Sequence, residues 1–215
     1  MSSVTTIADS IEYVEGYIGE DEVLAAARGR AAEVGCRAVG PGAGAALRLL
    51  ASLVSARAVV EVGTGTGVSG LWLLRGLGTA GILTSIDTES EHQRLARQTF
   101  ADAGVAPGRF RLINGRAGDV LPRLADGSYD VVFIDADPGN YSTYLTQAVR
   151  LLRAGGVLAV NNVLADGRTA DAAARDPEAV ALRGIASAVR DDDRFAAAML
   201  PVGDGLLAAT LLHTG

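Results

Sequence analysis

Residues 59–70 read VVEVGTGTGVSG: a β-branched run broken by one acid, Glu61, gives way to four glycines separated by small residues. Glycine loses the most backbone entropy on folding, so such a cluster marks a place where the chain takes positive φ or lies against something else. A backbone stripped of side chains between a strand and a helix can approach a ligand closely and offer it N–H groups at the helix N-terminus, as nucleotide-binding α/β folds do. The next apolar run, GILTSID, closes on Asp87, and a carboxylate at a strand end can accept bonds from ribose hydroxyls. Two spacings fit. Gly65, Gly67 and Gly70 read G-x-G-x-x-G, which with Asp87 suits a nicotinamide dinucleotide. Gly63, Gly65 and Gly67 read G-x-G-x-G with Glu61 just ahead of them. The glycines alone leave both open.

Positioning such a loop requires a strand before it and a helix after it. Val59, Val60 and Val62 have the pattern of a parallel strand covered on both faces, and Val68, Leu71, Trp72 and Leu74 follow at near-helical spacing. The first 55 or so residues read as helices. TIADSIEYVEGYI carries Ile7, Ile11, Val14 and Ile18 on one face. EDEVLAAARGRAAEVG begins with acids and stops at Gly35, and a third helix is expected through GAALRLLASLV. From residue 57 strands are expected near AVVEVG, GILTSID, RFRLIN, YDVVFIDAD and GGVLAVNNV, with helices between them, the βαβ signature of a parallel sheet. A helix around EAVALRGIASAVRD is followed by RFAAAMLPVGDGLLAATLLH, which reads as an antiparallel hairpin with a Gly-Asp-Gly turn on the sheet edge.

Composition bounds the setting. A chain of 215 residues suits one domain with a sizeable core. No apolar run of ~20 residues is present to span a membrane, and the polar start MSSVTTIADS is not a signal peptide. The single cysteine, Cys36, excludes an internal disulfide and fits a reducing, cytoplasmic compartment. A net charge of −6 with acids and arginines interspersed argues against a nucleic-acid partner, which needs a basic face. All 19 basic residues are arginine.

Three segments, VVEVGTGTGVSGLWLL, SIDTESEHQRLARQTFADAGV and YDVVFIDADPGNYSTYLTQAVRLLRAGGVLAVNNVL, together resemble the O-methyltransferases of the caffeoyl-CoA and catechol type. The resemblance covers roughly residues 35–165, and FIDAD.GNY followed by LLR.GGVLAV.NV is more distinctive than any glycine loop. A terminal antiparallel hairpin is likewise typical of S-adenosylmethionine methyltransferases, whereas dinucleotide domains usually keep a parallel sheet. The resemblance implies an α/β, doubly wound, mostly parallel seven-stranded sheet, a class I methyltransferase fold in a single domain. Residues 1–55 would form a helical cover and dimer region, and 56–215 the catalytic core. It also implies S-adenosylmethionine as donor, a homodimer, and a small phenolic or catechol-like acceptor.

By the same resemblance Glu61, Gly63 and Thr64 line the methionine side of the donor, Gly65 and Asp135 also belong to the donor site, Ser69 bonds the donor's carboxylate, Asp87 holds the ribose, Val39 lies over the donor and Ala117 stands near the adenine. Transfer needs an aligned, deprotonated acceptor oxygen. Family members commonly use a divalent cation for this, and its ligands map to Asp135 and to the pair Asn161 and Asn162. Here the chain departs from the family, which has Asp then Asn at that pair. One negative charge is gone, and Mg²⁺ affinity should fall. The family's lysine after the aspartates is Pro138, and the chain holds no other lysine to replace it. Asp137 is then either a base or the cap of the helix that starts at Pro138. Tyr141 is placed near the acceptor mouth, and His92 and His213 are read as structural. The expected activity is O-methyl transfer with weakened or absent metal dependence. The alternatives are a donor-binding protein without catalysis and, ranked below it, a nicotinamide oxidoreductase. Acceptor identity rests on loops such as ADGRTADAAARDPEA.

Overall fold

A computed structural model describes residues 6–212, so His213 lies outside the described residues. Three helices come first: α1 (Ile7–Gly16), α2 (Glu22–Glu33) and α3 (Pro41–Leu53). The α/β core follows as β1 (Ala58–Val62), α4 (Val68–Gly76), β2 (Ile82–Asp87), α5 (Ser90–Asp102), β3 (Phe110–Asn114), α6 (Ala117–Val120), β4 (Tyr129–Ile134), α7 (Tyr141–Leu151) and β5 (Leu152–Val160). It ends with α8 (Pro177–Arg190), β6 (Phe195–Leu200) and β7 (Leu206–Leu211).

The strands form one seven-stranded sheet in the order β3-β2-β1-β4-β5-β7-β6. β1 through β5 pair in parallel, while β7 pairs antiparallel with both β5 and β6. Alternate residues of each central strand feed opposite faces, and both faces are apolar. Val59, Val131 and Phe133 pack toward α2 to α5 with Leu47, Leu71 and Trp72. Val60, Val132 and Ile134 pack on the other side with Tyr144, Leu151, Leu182 and Val189. This is the doubly wound, mostly parallel seven-stranded sheet with an antiparallel terminal hairpin that the sequence led one to expect.

Some elements differ from the sequence-based expectation. α3 begins at Pro41, several residues early, because proline's fixed φ and missing N–H suit the first helical turn. After Asp137 the chain makes one 3-10 turn, Pro138–Asn140, before α7 starts at Tyr141. No residue of the apolar face of α1 is buried: Ile7 is 82 % exposed, and Ile11, Val14 and, just beyond the helix, Ile18 are exposed as well. The helix is tied down by Glu15, whose carboxylate accepts the N–H groups of Gly42 (3.0 Å), at the start of α3, and Gly203 (2.5 Å), in the turn between β6 and β7. Among the described residues no helix is long and apolar enough to cross a membrane.

Candidate active site

The strand order reverses at β1 and β4, and ligands of open α/β sheets bind beyond the C-terminal ends of strands at such a switch point. The ladder continues one step past the strands here. Gly63 N–H donates to Ile86 (2.9 Å), Asp135 N–H to Val62 (2.8 Å) and Asn161 N–H to Ile134 (3.0 Å). Gly63, Asp135 and Asn161 are thereby aligned along the sheet's C-terminal edge. Gly63 has φ +94°, and a Cβ there would lie 1.9 Å from the Asp135 carbonyl oxygen. Only glycine lets the loop pass this close to β4.

A cleft of about 250 Å³ opens over this edge. Its floor is Gly63, Thr64, Gly65 and Asp135, with Ser69 at the start of α4. One wall is Asp87, Glu89 and His92; the other is Cys36, Arg37 and Val39, from the segment between α2 and α3, and Asp137 stands at the rim. A smaller cavity of about 110 Å³ adjoins it, shares Gly63, Asp87 and Asp137, and runs on to Ile86, Ala117 and Tyr144.

Asp87 is the organising acid of the wall. Its Oδ2 accepts the N–H groups of Thr64 (2.9 Å) and Gly65 (3.0 Å), Oδ1 accepts Glu89 N–H (2.9 Å), and His92 Nδ1 lies 3.2 Å from Oδ2. The carboxylate therefore shapes the glycine loop as well as facing the cleft. His92, read from sequence as a structural histidine, stands in the wall. The Asp87–Glu89 turn folds the first turn of α5 back over the strand end, which five-residue spacing from Asp87 could have signalled.

Glu61 and Ser69 sit otherwise than the family pattern implied. Glu61 is fully buried beneath the loop and does not line the cleft. Its two carboxyl oxygens accept from Ser69 Oγ (2.6 Å) and Ser85 Oγ (2.5 Å). Burial with no cationic partner drives its pKa up to about 8, although both hydroxyl bonds pull it down. Ser69 borders the cleft while its hydroxyl is committed downward to Glu61. Ser85 also shares a 2.7 Å bond with Thr64 Oγ1, to which Gln93 donates at 3.0 Å. These groups form a buried support for the loop.

At the other end, burial pushes Asp135 up to about 6, opposed by the Asn161 bond and the positive charge of Arg37. Asn161 Nδ2 donates to Asp135 Oδ1 at 3.1 Å. Asn162 takes a left-handed φ of 55° and turns the chain away from the sheet. Asp137 accepts Gly139 N–H (3.0 Å) and Asn140 Nδ2 (2.8 Å), so the capping role is the one its hydrogen bonds express. Tyr141 is buried at the start of α7, and burial raises its hydroxyl pKa.

Asp135, Asn161 and Asn162 would hold a divalent cation only weakly. They supply one carboxylate, which already accepts an amide N–H, whereas hard cations are held mainly by charged oxygens. Among the described residues no group of three or more His, Cys, Asp or Glu is placed to hold a metal ion.

The chain's likeness to known proteins runs nearly end to end. An O-methyltransferase family model matches residues 20–211. A relative in Mycobacterium tuberculosis named "Probable O-methyltransferase" is 55% identical over 197 residues, spanning 92% of this chain and 88% of its own. Among solved structures, the O-methyltransferase TomG of Streptomyces achromogenes, in complex with SAM, superposes with TM-score 0.85 at 30% identity, covering 96% of both chains. An O-methyltransferase of Bacillus cereus in complex with SAH gives TM-score 0.83 at 29% identity, over 94% of this chain and 96% of its own. Through its sheet order, the cleft at its switch point and this kinship, the chain belongs to the O-methyltransferase family and is a methyltransferase enzyme.

Proposed function

We propose that the enzyme transfers a methyl group from S-adenosylmethionine to a hydroxyl of a small phenolic or catechol-like acceptor without depending on a tightly held divalent cation. The observation that carries this reading is the single cleft that both Asp87 and the half-buried Asp135 line. The donor supplies a sulfonium-bound methyl group open to in-line displacement. Asp87 would hold the ribose hydroxyls with the lone pairs its loop bonds leave free, and the slot beside Ala117 and Tyr144 suits the flat adenine. Thr64, Gly65 and Val39 would bracket the methionine portion, while Glu61 acts from beneath by holding Ser69.

Asp135 is assigned the acceptor's proton. A carboxylate raised by burial to about 6 is still mostly ionised at neutral pH, and it is a stronger base than an ordinary aspartate, as a general base near its working pH should be. Asp137 flanks the acceptor from the rim. The exposed apolar surface of α1 and α3 supports a homodimer, and the lone cysteine fits a cytoplasmic setting.

The test is a methyl-transfer screen of catechols, phenols and acyl-CoA esters, with Mg²⁺ or with EDTA. Turnover of a catechol in EDTA, lost in Asp135→Asn, is the expected result. Complete loss of wild-type activity in EDTA would overturn the metal-independent reading. Donor binding with no turnover of any acceptor would favour the non-catalytic alternative, which Pro138 in place of the family's lysine keeps in view.

A further inference from the structure

Arg37 is the arginine bordering the cleft, and its guanidinium is largely uncommitted. It stands on the segment between α2 and α3, and its charge reaches Asp135, the group assigned to the acceptor's proton. Its one carboxylate partner among the described residues is Asp166, with Arg37 Nη2 3.5 Å from Asp166 Oδ2. The two side chains are 63% and 65% exposed. An exposed pair at that separation contributes little and exchanges readily. Arginine offers five N–H donors in a planar fork, and two parallel bonds to one carboxylate are much stronger than a single long one. Asp166 is not fixed through its side chain. It is held by its backbone N–H, which donates to both carboxylate oxygens of Asp204 at 2.9 and 3.0 Å, leaving the carboxylate free to swing out.

The cleft is otherwise lined by acids, Asp87, Glu89, Asp135 and Asp137, and Arg37's partner Asp166 is itself held by a further acid, Asp204. A neutral acceptor gains from a cation only as its phenolate forms, whereas an anionic one needs it on binding to offset the surrounding acids. We infer that Arg37 reads a carboxylate on the aromatic acceptor, and that Asp166 occupies that position until the acceptor displaces it. The acceptor class is then a hydroxylated aromatic acid, with the ring hydroxyl toward Asp135 and the carboxylate toward the α2–α3 segment. This deepens the O-methyl-transfer reading and rests on it.

Two probes that differ by the carboxylate separate the cases: 3,4-dihydroxybenzoate and catechol, titrated calorimetrically into the protein saturated with S-adenosylhomocysteine. The wild type should bind the acid about tenfold more tightly than catechol, the value of one charge-assisted contact at a rim. In Arg37→Gln that ratio should collapse toward one, and in Asp166→Asn it should widen, because the competing carboxylate is gone. Both positions are exposed, so folding is not at stake. A ratio unchanged in Arg37→Gln, a wild type that prefers catechol, or a wild type that binds neither probe overturns the assignment. Binding that follows the expected ratios without methyl transfer to either probe would instead sink the O-methyl-transfer reading and leave Arg37 as a carboxylate site.

Discussion

Buried beneath the glycine loop without a cationic partner, the Glu61 carboxyl makes stability depend on pH in the opposite sense to a salt-bridged acid. Its folded pKa of about 8 lies above the ordinary 4.5, so the stability it confers is complete below pH 4.5, declines as pH rises and is gone above about pH 8. Glu61→Gln keeps a neutral hydrogen-bonding group in the site. Thermal melts between pH 5 and 8 should show the wild type losing stability relative to this variant as pH rises; parallel curves would mean that Glu61 is charged throughout. Asp87 carries a double duty, holding the loop's N–H groups and facing the donor. Asp87→Ala should weaken S-adenosylhomocysteine binding by about 1.5–3 kcal/mol, the scale of hydrogen bonds to a charged group, and lower the melting temperature as well. Unchanged affinity by calorimetry would remove Asp87 from the site. Sequence named the acids but not their division of labour. The periodicity of VVEVG shows that Glu61 lies on a strand without showing that Ser69 and Ser85 close over it, since that depends on how β2 and α4 pack around it. Arg37 escaped notice and His92 was read as structural because neither belongs to a motif, and they reach the cleft only once α2, α3 and α5 are in place.

At the level of elements, the site depends on the close passage of the β1 loop across β4. Gly63→Ala would force a side chain into positive φ and into the Asp135 carbonyl. It is expected to cost at least about 2 kcal/mol and to dislodge Asp135. Denaturant titration checks the first effect, and turnover reduced beyond the loss of donor affinity checks the second; a stable, fully active variant would show that the loop can move aside. The order of strands and helices was legible because short apolar runs alternate with amphipathic segments. The start of α3 was less so, since GPGAG reads as a breaker until Pro41 is seen at a first helical turn. The 3-10 turn before α7 was hidden for a related reason. Proline after Asp137 signals a helix start but not how tightly its first turn winds.

For the whole molecule, the uncovered surface is the outstanding feature. Ile7 and Ile11 on α1 and Leu49 and Leu53 on α3 are exposed, and a mainly apolar groove of about 430 Å³ lies along α3, bounded by Tyr17 and Ile18 beyond the end of α1 and by Trp72 of α4. Apolar surface of this kind suits the proposed dimer, and light scattering should then find a symmetric dimer of the 22.0 kDa chain at micromolar concentration. Leu49→Glu should yield monomers; a wild type that is already monomeric removes the proposal. The apolar face of α1 was visible in the sequence, but periodicity does not say whether such a face meets the chain's own core or another molecule. The position of β7 also bears on how the protein is made. β7 lies between β5 and β6, so during synthesis the edge of β5 at 157–160 has no neighbour until residues 207–210 have emerged. At ordinary elongation rates that delay of about 50 residues lasts roughly 3–10 s. Through that interval the nascent sheet presents a bare apolar edge of Val157, Leu158, Ala159 and Val160, open to pairing with another nascent chain and a natural point of engagement for a chaperone.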